Sequence, residues 1–217
     1  MKKKLAMFMA VVMIMTAAIA GTLAWLQAES SEVTNTFTFG DINIVLDESK
    51  LNTDGSLNVS ERVQGNEYKT IPGAELAKDP VVTVEKGSEA CWLFVKVTEN
   101  GAAVVKGKDA EGSEISITYN FDDFFSYTID SAQWEALGED YPGIYYYIGT
   151  DLDVSLKEDV KVNILLDTKI TVKDSVTKEM INNITDTPQL IFTAYAIQKD
   201  VSITDAKAAW KLITGSN

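Results

Sequence analysis

An all-β chain, folded as an antiparallel β-sandwich with a few short helices and a C-terminal helix, is what the sequence predicts. Three observations predict it. Runs rich in Val, Ile, Tyr, Phe and Thr recur with strand-like alternation. Turn signals such as Asn52-Thr53-Asp54-Gly55, Ile71-Pro72-Gly73 and Glu85-Lys86-Gly87-Ser88 separate them. Helical spacing of apolar residues is confined to a short stretch near 174–184 and to the C-terminus.

The chain opens Met1-Lys2-Lys3-Lys4 and then runs from Leu5 to Leu26 without a charge. A basic start, an apolar core and small residues ahead of a polar chain make an export signal. Residues 1–24 are the expected signal peptide, cut between Ala24 and Trp25, with Thr22 third before the cut. A cut after Ala28 and an uncleaved membrane anchor are the alternatives, because about 20 apolar residues also suffice to span a bilayer. Residues 25–35 then form a flexible N-terminal segment, and 36–217 a single sandwich domain.

The first strand pattern covers Thr36 to Leu46. Phe37 and Phe39 share one parity and Ile42, Ile44 and Leu46 the other, so a bulge or bend is expected at Gly40. Asn52 to Gly55 lies in a polar stretch and resembles half of a calcium loop. Lys50 stands where a ligand carboxylate is needed, so a hairpin turn is expected instead. Lys78-Asp79-Pro80 leads into Val81 to Val84. Cys91 to Thr98 reads as a central strand with Cys91, Leu93, Val95 and Val97 on one face. Ile115 to Tyr119, Tyr127 to Ile129 and Ile144 to Ile148 are further strands, and Asp122 to Phe125 fits a helical turn or a strand. Val160 to Val172 holds one or two strands. Asp174 to Ile184 fits a short helix with Val176, Met180, Ile181 and Ile184 on one side. Gln189 to Gln198 is a core strand. In the last helix Thr204 is the expected cap, Asp205 suits the first turn, and Ala206, Ala209, Trp210 and Ile213 form the buried stripe before Gly215.

Composition narrows function. The net charge is −13, and loss of residues 1–24 removes three lysines and no acid, which takes it to −16. That charge argues against nucleic acid or anionic membrane as partner; membrane contact is expected only through an uncleaved signal segment. Cys91 is the one cysteine, so no intrachain disulfide forms, and its setting suits a buried small hydrophobe. There is no histidine. Zincin motifs, Ser-His-Asp triads and Cys-His pairs are thereby excluded. A hydrolase built on two carboxylates stays formally open, but no pair of carboxylates is singled out. The expectation is a protein without enzymatic activity, cofactor or metal.

Several segments together resemble the TasA/camelysin family: Gly21-Thr22-Leu23-Ala24-Trp25, Asn35-Thr36-Phe37-Thr38-Phe39-Gly40-Asp41, Ile71-Pro72-Gly73, Lys78-Asp79-Pro80, the strand from Gly87 to Val97, Thr193 to Gln198, and Ala208-Ala209-Trp210. The resemblance spans most of the chain. It implies a jelly-roll-like sandwich, export through a SipW-type signal peptidase, and self-association into the fibres of a biofilm matrix, possible sibling matrix proteins among its partners. It also implies assembly by strand donation, in which the mature N-terminus of one subunit completes the sheet of the next. Trp25, Leu26 and Val33 would then be anchors, with Phe37 and Phe39 extending the pairing. A peptidase label attached to the family is not carried over, since no His-Glu-x-x-His helix exists here. The competing reading is a monomeric surface adhesin or carbohydrate-binding module, suggested by Trp134, Tyr145, Tyr146 and Tyr147; sheet packing is the plainer explanation of the same aromatics.

Overall fold

The computed structural model describes residues 41–200 and 202–215. The expected signal peptide, the 25–35 segment, the phase change at Gly40, and with them Ala24, Trp25, Leu26, Val33, Phe37 and Phe39, lie outside the described residues.

Twelve strands and three short helices are described. One sheet has the order β10-β4-β1-β2, formed by β1 (Ile44–Leu51), β2 (Leu57–Val63), β4 (Val81–Val84) and β10 (Val160–Asn163). A larger sheet has the order β12-β5-β9-β8, formed by β5 (Cys91–Lys108), β8 (Trp134–Ala136), β9 (Ile144–Tyr147) and β12 (Ile184–Gln198), with β6 (Glu114–Asn120) hairpinned onto the far half of β5. A short sheet joins β3 (Glu75–Ala77), β11 (Leu165–Val172) and β7 (Phe125–Ile129). Every registered strand pair is antiparallel.

The main core lies between the first two sheets. Val82, Val84 and Val162 from one layer meet Cys91, Leu93, Val95 and Val97 from the other, with Leu190, Phe192, Ala194 and Ala196 beside them. These are the inward rows that strand alternation dictates. The opposite face of β5 is buried too. Phe94, fully enclosed, packs on Trp210 of the C-terminal helix α3 (Ala206–Thr214), ring centroids 5.4 Å apart. A strand covered on both faces reads as a continuous apolar run, as Cys91 to Val97 does.

Local differences from the sequence expectation have local causes. Asp205, not Thr204, caps α3: its Oδ1 accepts from the Ala208 N–H at 2.9 Å. The helix expected over 174–184 is α2 (Lys178–Asn182), capped by Thr177. Val176 and Met180 are buried, but Ile184 already belongs to β12, pairing with Ala103. Asn182-Asn183 ends the helix, and β-branched Ile184 and Thr185 favour the strand that follows. The segment after β6 turns through α1 (Phe121–Phe124) before β7, its start held by the Asn120 N–H donating to Asp123 Oδ2 at 2.8 Å. Asn52 to Gly55 does turn between β1 and β2, with Gly55 at φ 86°.

β5 is long because Gly101 lets it bend. The β5–β12 register shifts there, Gly101 has φ 126°, and a Cβ at that site would stand 2.6 Å from Pro188 Cα. Only glycine accepts both the torsion and the contact.

Candidate functional site: an open slot between two strand edges

β12 lies at the edge of the larger sheet, and among the described residues its one strand partner is β5. The Lys199 N–H donates to Ala90 O, one step beyond the registered pair Gln198–Cys91. Antiparallel pairs alternate between bonded and non-bonded. Ile191, Thr193, Tyr195 and Ile197 therefore direct their backbone groups at β5. Those of Leu190, Phe192, Ala194 and Ala196 point to the other side. The neighbouring ladder agrees: the Val97 N–H donates to Gly143 O, so odd-numbered residues of β5 face β9 and even-numbered ones face β12.

β1 presents a second edge. The Glu85 N–H donates to Asn43 O, which places Asn43, Val45 and Asp47 on the β4 side. Ile44 and Leu46 direct their backbone groups the other way. β2 takes up that side only from Glu48 onward, where Glu48 pairs with Val63.

A cavity of about 710 Å³ opens between these edges, lined by Leu46, Glu48, Tyr68, Lys78, Leu190 and Phe192 among others. Its apolar floor belongs to the main core. At one level it turns polar. Glu48 continues the inward row of Ile44 and Leu46, and its carboxylate meets Lys78 Nζ at 2.6 Å; both residues are buried. Asn66 donates to Glu48 Oε1 and to Ser49 O, both at 2.9 Å. The Lys78 ammonium also lies 5.4 Å from the Tyr68 ring centroid and 5.9 Å from that of Phe192. The Tyr68 hydroxyl is buried and has no hydrogen-bond partner among the described residues. Burial, reinforced by the Glu48 and Asp79 carboxylates and opposed by the nearby Asn66 carboxamide, raises its pKa, so the group is a neutral hydroxyl. A buried neutral hydroxyl without a partner is costly, which favours any arrangement that brings it one.

Outside the cavity, Arg62 and Ser49 hold the neighbouring Asp79: Ser49 donates from N and Oγ at 2.7 Å each, and Arg62 Nη1 at 3.0 Å. This pins the Lys78-Asp79-Pro80 segment and with it the ammonium. Among the described residues no three acidic or cysteine side chains converge as metal ligands would.

Two members of the aromatic group are buried, and Tyr145 and Tyr146 are half-buried. Trp134 is 2 % and Tyr147 9 % exposed, and their rings meet edge to face with centroids 5.9 Å apart. Tyr145 leans on the main core and Tyr146 on the helix-side core. Cys91 is buried, and burial pushes its thiol up to about 11. The slot itself was not legible as a site in the sequence: its residues come from β1, the 64–70 loop, Lys78 and the start of β12, and nothing in their spacing joins them. Compared with protein-family models, with characterised proteins and with solved structures, the chain has no match.

Proposed function

We propose that this chain is a secreted structural subunit that polymerises into extracellular fibres of a biofilm matrix by strand donation. The observation that carries the proposal is the slot: two strand edges with outward-directed backbone groups, set either side of one cavity with an apolar floor. Such a slot takes an extended segment, whose N–H and C=O groups pair with the outward groups of β12 while alternate side chains enter the cavity. The segment offered is the N-terminal one, freed by cleavage after Ala24, with Trp25, Leu26, Val33, Phe37 and Phe39 as its apolar anchors.

The path of the chain supports donation to another subunit. Asp41 O accepts from the Glu89 N–H, Asn43 O from the Glu85 N–H, and the Asn43 N–H donates to the buried Ser88 Oγ. The chain thus enters β1 at the end opposite Glu48. Head-to-tail addition of this kind does not close on itself and so builds filaments. The burial of Trp134 and Tyr147 speaks against a sugar-stacking platform built on those two rings.

Electron microscopy of the mature chain, with and without residues 25–39, tests the reading. Filaments are expected from the first and a folded monomer from the second. Equal filaments from both would overturn it.

A further inference from the structure

We infer that Asn35 of a second copy seats against the buried Tyr68–Lys78–Glu48 cluster and sets the register of the donated strand; this rests on the strand-donation reading above. The slot alternates in chemistry along its length. The lining is apolar at Leu46 and Phe192 and again at Leu76, Phe121, Phe125 and Ile170, and polar where the Glu48–Lys78 pair and the Tyr68 hydroxyl meet. A strand that fills it needs an inward row that is apolar, then polar, then apolar, at intervals of two residues.

The N-terminal sequence holds such a row. Val33, Asn35, Phe37 and Phe39 share one parity, and Asn35 is the one polar member. In isolation an inward asparagine weakens an apolar strand. Opposite this cluster its carboxamide accepts from the Tyr68 hydroxyl and donates to the Glu48 carboxylate, whose Oε1 and Oε2 each hold one donor in the described structure and keep lone pairs free. Val33 and Phe37, on either side of Asn35 in the same row, then face apolar lining in either direction of entry. A shift by one residue would point this row outward, and a shift by two would put Phe37 or Val33 on the ion pair and Asn35 on an apolar stretch. One buried polar contact fixes alignment in this way where apolar contacts alone would tolerate slippage.

The test is a double-mutant cycle on the critical concentration for assembly of the mature chain, using Asn35→Val, Tyr68→Phe and the pair. Each single change is expected to raise the critical concentration about tenfold, and the pair no further than either alone. Thermal unfolding below the assembly concentration is expected to be unaltered by Asn35→Val. Additive effects, or no effect of either change, would overturn the seat while leaving strand donation standing. Coupling already present in the dilute monomer would place Asn35 in its own slot and overturn the inference. No filaments from the unaltered mature chain would remove donation itself, and the seat with it.

Discussion

The two edges of the larger sheet are finished in opposite ways. β8 is three residues long, and its end is stitched to the facing layer: Trp134 Nε1 donates to Asn163 O at 2.7 Å, and the Asp130 N–H to Ile164 O at 3.0 Å. β12 is fifteen residues long; its outward backbone groups run from Leu190 to Ala196, and those of Leu190 and Phe192 border a cavity. Short edges and covered edges are how sheets avoid pairing with strangers. The first edge has both devices. The second has Pro188, which lacks an N–H and so ends the pairable stretch. The larger sheet is thus blunted at its β8 end and left long and aligned at its β12 end.

Amide hydrogen exchange probes that difference most strongly. In the monomer, the N–H groups of Ile191, Thr193, Tyr195 and Ile197 are bonded to β5, and those of Phe192, Ala194 and Ala196 are not. Protection is expected to alternate along β12, on the order of a thousandfold between neighbours. In filaments the second set is expected to become protected as well. Uniform protection of β12 in the monomer would mean that its edge is already paired, and the contrast with β8 would collapse.

The polar level of the slot gives the next largest effect. Lys78→Met leaves Glu48 buried without its cation, at a cost of about 3–5 kcal/mol. Replacing Glu48 with Leu in the same molecule is expected to restore most of the loss, because a paired apolar exchange removes both desolvated charges. Urea denaturation measures both. A cost below about 1 kcal/mol for Lys78→Met would mark the pair as a solvated surface contact, as exposed as Lys50–Glu61.

At the sealed edge, Trp134→Phe removes the donor to Asn163 O and some core volume. About 2 kcal/mol of stability is expected to be lost, with the dependence of assembly on residues 25–39 unchanged. Filaments of this variant that form without that segment would show that the Trp134 bond, rather than edge length, keeps β8 from recruiting strands.

Sequence alternation made the inner surfaces legible and the edges obscure. The rows Cys91, Leu93, Val95, Val97 and Leu190, Phe192, Ala194, Ala196 announce a core because each is uniformly apolar at period two. The stripe Ala206, Ala209, Trp210 did the same for α3. By contrast β5 continues through polar Glu99 and Asn100 and past Gly101 to Lys108, residues whose pattern suggests a turn. Their strand state comes from partners, β12 on one side and β6 on the other, that local propensity cannot see. Val160 to Val172 conceals a change of sheet at Ile164, where β10 ends and β11 begins. The slot was hidden for the same reason. Glu48 and Lys78 lie 30 positions apart in stretches that read as loop or strand end, and only the fold brings a carboxylate and an ammonium into one buried site.

The core between the two edges provides the smallest test. Cys91 pairs with Gln198 at the end of the β5–β12 ladder, and its thiol faces the main core. Burial raises its pKa from 9.0 to about 11, against a weaker lowering by Lys199. Below pH 9 the thiol is neutral whether the chain is folded or unfolded, and it has no influence on the pH dependence. Between pH 9 and 11 the unfolded chain gives up the proton while the folded one keeps it, so stability falls as pH rises. Above that range both states are ionised and the thiol's contribution levels off. Cys91→Ala is expected to flatten part of the decline in the urea midpoint between pH 9 and 11, and to leave the remainder, to which Tyr147, raised from 10.0 to about 12 by burial and by Asp151, contributes. A decline of equal steepness in the variant would mean that the thiol is solvated, and that the β12 end of the core is open to water even in the monomer.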